Sequence, residues 1–445
     1  LRRALVGLGG LIDWSVSMKE THHIHAGCWL PAAALMFLMA LPAAGQDAAD
    51  PQLTALLAEA AERNPDVQSA RREITAARSR IAPAGALDDP MLEVGLLNVP
   101  AESLSLRRED MTMKMIGYSQ RLPYPGKRAL RRELAEREAE AAEINLQELV
   151  NRVRRDVKVA YFDLGLTDES LRLAERNRQV LEQFLSIAEA RYGVGQSTQA
   201  DVLRAQTQVS KMLEELIKLG RERPMLEAEL NRAAGRAAAP QAVSPGPARA
   251  REASLRLDEL RALALSNRPQ LLAQQRMMDR SAKALELARK DYYPDFDVRL
   301  SYGQRDNYQD MRREDMISFT VAINLPVWRE SKREPRVTEA EAMRDQASTM
   351  YQARLNELDA MLRQQVAAAE QTLKSVRLYE NALLPQARLT ADASLSAYRV
   401  GRVDYFTLLD SRMTVFNAEI GYAASLATYN KALAEVEFLT GAPLR

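Results

Sequence analysis

Tyr192–Leu203 reads YGVGQSTQADVL, and Tyr398–Leu409 reads YRVGRVDYFTLL. Each stretch writes Tyr-x-Val-Gly, a short polar run and then an apolar helix start, and the two lie 206 residues apart. A helix that stops at Gly and restarts after a turn is common chemistry. Two copies in register, each closing a long helical pattern, point instead to a duplicated architecture.

The match extends outward from the turns. AERNPDV (Ala61–Val67) resembles ALSNRPQL (Ala264–Leu271), which sets Pro65 against Pro269. DPMLEVGL (Asp89–Leu96) aligns with YPDFDVRL (Tyr293–Leu300), and QRLPYPG (Gln120–Gly126) with INLPVWR (Ile323–Arg329). LNRAAG (Leu230–Gly235) aligns with VEFLTG (Val436–Gly441), and the offset stays between 203 and 206 throughout. Residues 55–235 and 259–441 are therefore two copies of one unit. The boundaries read as repeats over 46–235 and 255–445, joined by an Ala/Pro-rich connector over 236–254.

Each copy has the same predicted order. A helix over 52–82 or 257–291 is followed by two strands, over 91–98 and 111–122 or over 295–304 and 315–325. A very long helix over 127–191 or 335–397 leads to the turn at 193–197 or 399–403, and a last helix follows. That last helix carries heptads. Val202, Val209, Leu216, Arg223 and Leu230 recur every seven residues, with Ala205, Met212, Leu219, Leu226 and Ala233 three positions on. Leu408, Val415, Tyr422, Tyr429 and Val436 repeat the pattern in the second copy, with Ser411, Ala418, Ser425, Ala432 and Leu439. Arg223, beside Pro224, is the one charged exception, and a kink is predicted there. A helix of ~65 residues is roughly 100 Å long, which suits no globular core.

The strand segments alternate with period two. Ile317, Phe319, Val321, Ile323 and Leu325 are apolar, while Ser318, Thr320, Ala322 and Asn324 between them are small or polar. Phe296, Val298, Leu300 and Tyr302 follow the same rule, as do Leu92, Val94 and Leu96. The remaining strand is ambiguous, because Met111, Met113 and Met115 alternate with Thr112, Lys114 and Ile116. The repeat alignment places Lys114, Ile116 and Tyr118 on the apolar face and the methionines opposite.

Composition narrows the chemistry. Lys+Arg number 61 and Asp+Glu 60, so bulk charge gives no support for nucleic-acid binding. The N-terminus reads as an export signal over 1–45, with Met18-Lys19, an apolar run Trp29–Leu41 and small residues Ala43–Gly45. Met18 is the better initiator. The run is shorter than the ~20 residues of a spanning helix, which disfavours a membrane anchor. Without this segment the chain carries 58 residues of each sign, and no histidine or cysteine, since His22, His23, His25 and Cys28 all lie within it. Histidine bases, cysteine nucleophiles and Cys/His zinc sites are then excluded, which argues against an enzyme. No cofactor site and no Gly-rich ATP loop is read.

Strands of 9–11 residues suit a tilted bilayer crossing. Lipid tolerates no open sheet edge, and the smallest membrane barrels have eight strands, so four strands per chain require several chains to share one barrel. An export signal with shared barrel strands implies a bacterial outer membrane, with long helices in the periplasm.

With YGVGQ and YRVGR at the turns, LLDSRMTVFNAE (Leu408–Glu419) and the LTGAP ending, the sequence resembles the TolC family of outer-membrane efflux proteins over essentially all of 46–445. The resemblance implies a mainly α fold: a periplasmic α-barrel plus four strands per chain in a trimeric 12-stranded outer-membrane β-barrel. It implies a homotrimer set in outer-membrane lipid, partnered by a periplasmic adaptor and an inner-membrane pump of the RND or ABC type. Adaptor-binding tips fall on Val194, Gly195, Gln196 and Ser197, and on Val400, Gly401, Arg402 and Val403. A gate of aspartates falls on Asp201 and Asp410, with Thr407 where the family pattern has a second Asp. Asp89–Arg128 resembles heavy-metal efflux members. Thioethers suit Cu(I) or Ag(I), but the methionines read better as apolar barrel residues, and no metal ligand is assigned. The expected function is a passive exit duct for drugs or metal ions. A duct for secreted polypeptides and a soluble periplasmic coiled-coil scaffold are the alternatives.

Overall fold

Proline breaks the first helix of each repeat. The computed structural model describes residues 50–251, 253–307 and 311–444; the expected export signal lies outside them. Where single helices were predicted over 52–82 and 257–291, there are two each: α1 (Pro51–Arg63) and α2 (Pro65–Gly85), then α5 (Leu257–Asn267) and α6 (Pro269–Lys290). The breaks fall on Asn64 and Arg268, the residues before Pro65 and Pro269, which a following proline drives out of the helical region. Asn64 then caps α2 by accepting from Asp66 N at 2.9 Å, and its Nδ2 donates to Ala233 O at 3.0 Å.

The repeat closes on itself at these breaks. Gly235 and Gly441 end the last helices in left-handed geometry, at φ +77° and +70°. A Cβ on Gly235 would come within 2.7 Å of Asn64 Cα, and one on Gly441 within 2.6 Å of Asn267 O. Only glycine fits a positive φ against another backbone at that distance.

Helix α3 (Lys127–Gly193) runs 67 residues without interruption and packs against α4 (Gln199–Ala233). Its partner in the second repeat is not one helix. A π turn (Arg329–Arg333) precedes α7 (Glu334–Leu378), and a second π turn (Tyr379–Leu383) separates α7 from α8 (Leu384–Arg399). Each π turn ends immediately before a proline step, Glu334-Pro335 and Leu384-Pro385. Glu334 N bonds to Arg329 O and Leu384 N to Tyr379 O, five residues back. The widened turn absorbs the donor that proline lacks. At the second turn the Tyr379 ring lies directly on Gly421 of α9 (Tyr405–Thr440).

The heptads form the seams. Ala205, Met212 and Leu219 are buried at sevenfold spacing in α4, as are Leu408, Val415, Tyr429 and Val436 in α9. One core joins Leu173, Leu181, Met212, Leu219 and Phe416, mixing both repeats. Arg223 keeps its seam position because its guanidinium binds Asp168 at 2.8 Å, Glu227 at 3.0 Å and Val243 O at 3.1 Å, while α4 continues through Pro224. Among its described residues the connector carries no helix or strand, yet it packs. Val243 is buried in the first-repeat core, and Tyr429 and Asn430 donate to the carbonyls of Arg251 and Arg249.

The strands β1 (Met91–Leu97), β2 (Met113–Leu122), β3 (Phe296–Gln304) and β4 (Met316–Ile323) form one antiparallel sheet in the order β1-β2-β3-β4. Pairing Val94↔Ile116↔Tyr302↔Ile317 and Leu92↔Tyr118↔Leu300↔Phe319 puts the apolar set on one face. That face is bare: Val94 is 78% exposed, Ile317 76% and Phe319 68%. The other face carries Glu93, Ser119, Arg299, Ser301 and Thr320, with Glu93 paired to Arg299 at 3.1 Å. Along β2 its residues are the more covered, so the sheet is concave on this side; Met113 is buried and Met115 half-buried. The methionines thus stand opposite the apolar face, as the repeat alignment required. Lys127 Nζ joins sheet to helix by bonding Asp295 at 2.9 Å and Tyr293 O at 3.1 Å.

Two expectations follow. Gly235→Ala should lower stability by about 1–3 kcal/mol through forced left-handed strain, read as a fall in melting temperature. Gly193→Ala, whose Cβ meets nothing, should not. Phe319→Arg on the bare face should cost about 2–4 kcal/mol near a bilayer midplane and reduce membrane-assembled protein in fractionation, whereas Thr320→Arg on the concave face should assemble normally.

Candidate functional site

The hairpin turns are built from the same hydrogen bonds twice. Gly195 N donates to Tyr192 O at 3.0 Å and Gln196 N to Arg191 O at 2.8 Å. Gly401 N donates to Tyr398 O at 3.0 Å and Arg402 N to Ala397 O at 2.9 Å. Both glycines sit at φ +74°, so each helix ends in a Schellman motif that only Gly fills without strain. Val194 and Val400, each 69% exposed, project beside them. The eight residues predicted at the tips, Val194 to Ser197 and Val400 to Val403, thus lie on two matched turns.

The restart of each helix uses the same two residue types in opposite order. Thr198 caps α4 and receives Asp201 N at 3.2 Å, while Asp201 Oδ2 accepts from Thr198 N, Thr198 Oγ1 and Ser197 Oγ at 2.9–3.1 Å. Asp404 caps α9, accepting from Thr407 N at 2.9 Å and Thr407 Oγ1 at 2.6 Å. By the repeat offset Asp201 corresponds to Thr407, and Asp410 corresponds to Arg204. The two predicted gate residues therefore stand in different surroundings. Asp201 is held in a capping box, whereas Asp410 is exposed on α9 and its carboxylate meets no partner among the described residues. Burial tends to raise the Asp201 carboxyl, but the hydrogen bonds from Thr198 and Ser197 prevail and hold it below the usual carboxylate range.

Three residues outside the predicted tip and gate sets tie the turns together. Arg191 donates through Nη1 to Tyr398 O and stacks 4.6 Å over the Tyr398 ring. Tyr398 meets Tyr405 edge-to-face at 5.9 Å, and both are buried. Burial, with Tyr398 and Asp201 alongside, pushes the Tyr405 phenol up to about 12. Tyr192, the repeat equivalent of Tyr398, is instead 49% exposed. The paired Tyr-x-Val-Gly motifs carried the signal for Tyr398; nothing local marked Arg191.

No helix among the described residues is long and apolar enough to cross a membrane. The bare apolar sheet face has to meet lipid by another route. A concave sheet with a greasy outer face, continued by a helix roughly 100 Å long and its packed partners, defines a membrane-seated duct.

The chain belongs to the outer membrane efflux protein family, whose model matches residues 56–236 and 260–442, one match per repeat. It is 24% identical over 402 residues to the cobalt-zinc-cadmium resistance protein CzcC of Cupriavidus metallidurans, covering 90% of this chain and 93% of that one. Its fold is similar to a membrane protein from Pseudomonas aeruginosa at a TM-score of 0.74 and 17% identity, over 88% of this chain and 94% of the other. The outer membrane protein VceC of Vibrio cholerae matches at 0.74 and 18% identity, over 88% and 96%. The protein is an outer-membrane efflux channel subunit with a helical periplasmic extension.

The Asp201 cap makes a pH signature. Because its folded pKa is depressed, its stabilisation is present at neutral pH and is lost as pH falls through that folded value. Amide exchange at 198–202, corrected for intrinsic rates, should stay slow at pH 7 and accelerate only below about pH 4. Asp201→Ala should remove the step and cost about 1 kcal/mol locally.

Proposed function

We propose that three copies of this chain form a passive exit duct, supplied by an inner-membrane pump through a periplasmic adaptor that grips the Val-Gly turns. The observation that carries this reading is the sheet with one bare apolar face and two unpaired edge strands, continuous with long paired helices. Three such sheets edge to edge close a barrel of twelve strands and leave no backbone group unpaired in lipid.

The tips supply what an adaptor helix hairpin can grip: exposed Val194 and Val400 on rigid turns, with Gln196, Ser197, Arg402 and Val403 around them. The gate charge belongs to Asp410. Phe406, Asp410, Thr414 and Asn417 form an exposed stripe on α9, and three such carboxylates on a threefold axis repel one another while attracting cations. Asp201 serves the gate indirectly, by fixing the turn that Arg191 fastens to Tyr398. Opening is then an outward shift of the tip helices when the adaptor engages. No ATP-binding loop is present in the sequence, so the energy comes from the pump. The likeness to a cobalt-zinc-cadmium resistance protein favours metal ions as cargo.

Conductance of the reconstituted protein in planar bilayers tests this. The wild type should pass little current and be cation-selective at rest, and Asp410→Ala should raise the resting current and weaken the selectivity. An unchanged current and selectivity in Asp410→Ala would remove the gate assignment. A monomer soluble without detergent would remove the duct.

A further inference from the structure

We infer that the concave wall of the sheet carries a soft-cation site of three thioethers, Met113, Met115 and Met316, gathered on Gly303. The inference rests on the duct reading only in taking the concave face as the wall of the exit path.

The register places these residues together. Met115 pairs with Gly303 across β2–β3, and Gly303 pairs with Met316 across β3–β4. The two methionines therefore flank a position without a side chain, on backbones about 10 Å apart. Met113, two residues along β2 on the same face, folds over that position, since a Cβ on Gly303 would collide with its Sδ. Gly95, the other neighbour of Met115, leaves open space beside it. Two glycines thus clear room around a central thioether while a third sulfur fills the gap.

The trio breaks the rule its own face obeys. Below it the concave wall is mostly polar, with Glu93, Ser119, Arg299, Ser301 and Thr320, as a water-filled lumen requires, although Met91 shares this face opposite Ser119 and Leu97 stands beside Met113. Methionine gains nothing from lipid on this side, because the apolar residues occupy the other. β2 leaves for α3 at its far end, so Met113 stands at the end away from the helices, at the outer mouth. A mostly polar wall that gathers three thioethers on neighbouring strands at its exit departs from local consistency, which is where functional residues concentrate.

Thioethers are soft, neutral donors that suit Cu(I) and Ag(I). They supply neither the carboxylate nor the imidazole that Zn(II) takes, and Glu93 is occupied by Arg299. The site therefore holds soft monovalent cations and passes divalent ones. Neutral sulfurs bind loosely, which a conducting path needs if the ion is to leave.

Ag(I) is the probe, since it avoids copper redox chemistry, and nitrate electrolytes keep it in solution. Full-length protein in detergent should bind Ag(I) by calorimetry, and micromolar Ag(I) on the outer side should reduce open-channel current, while Zn(II) should do neither at this site. The triple variant M113L/M115L/M316L preserves volume and shape well enough to fold and should lose both effects. A wild type blind to Ag(I), or a triple variant that responds as the wild type does, overturns the site. Calorimetry decides this even if no pore conducts, and a pore that conducts but ignores Ag(I) leaves the duct standing.

Discussion

Two unpaired sheet edges govern this structure. β1 and β4 each have one hydrogen-bonded neighbour, and the sheet they bound offers lipid an apolar face. Water could satisfy such edges; hydrocarbon cannot, and each orphaned backbone group there costs several kcal/mol. A single copy is therefore an incomplete object, and its long helices inherit that incompleteness. Their remaining exposed apolar residues, such as Leu203, Ile217 and Leu389, are what one stave of a larger cylinder leaves uncovered.

Much of this was legible in the sequence because two strict periodicities coexist. A stretch such as Ile317–Ile323 alternates so cleanly that its bare face follows from the pattern alone. The sevenfold recurrence of Ala205, Met212 and Leu219 predicted the buried stripe of α4. Breaks were less legible, although the signal was present. Asn64-Pro65, Arg268-Pro269 and Leu384-Pro385 all announce a change of backbone, but whether it becomes a cap or a π turn depends on what lies opposite. Asn64 becomes a cap because Gly235 presses on its backbone, while Tyr379 opens into a π turn over Gly421. Strand β2 could not be oriented from its own residues, since methionine, lysine and isoleucine fit either face. Its register with Gly95 and Gly303 settled it.

Duplication fixed the scaffold and left the side chains free to diverge. The backbone of the two turns agrees to the hydrogen bond, yet Tyr398 is buried under Arg191 while Tyr192 is exposed. The cap pair Thr198/Asp201 is answered by Asp404/Thr407, so the acid and the hydroxyl have exchanged places while the helix start survives. That exchange explains the threonine at 407 without reference to a gate: its hydroxyl and its amide both serve the Asp404 cap. The same offset puts Arg204 opposite Asp410, so the two hairpins present opposite charges at equivalent positions. Hairpins that carry opposite charges at matched positions are no longer interchangeable.

This asymmetry bears on how such a ring can move. Arg191 spans from the first hairpin to a carbonyl and a ring of the second, so the two tips of one copy are fastened to each other. Beneath the clamp, Phe184, Ala188 and Ala205 from one hairpin pack with Tyr398, Tyr405 and Leu408 from the other. Opening within a copy would have to strip the half-buried Arg191 guanidinium from its acceptor and part Tyr398, Tyr405 and Leu408 from the Phe184, Ala188 and Ala205 they cover. A displacement that carries both hairpins of one copy together leaves this clamp intact. Within one copy, the motion that costs least is therefore one in which the two hairpins travel together.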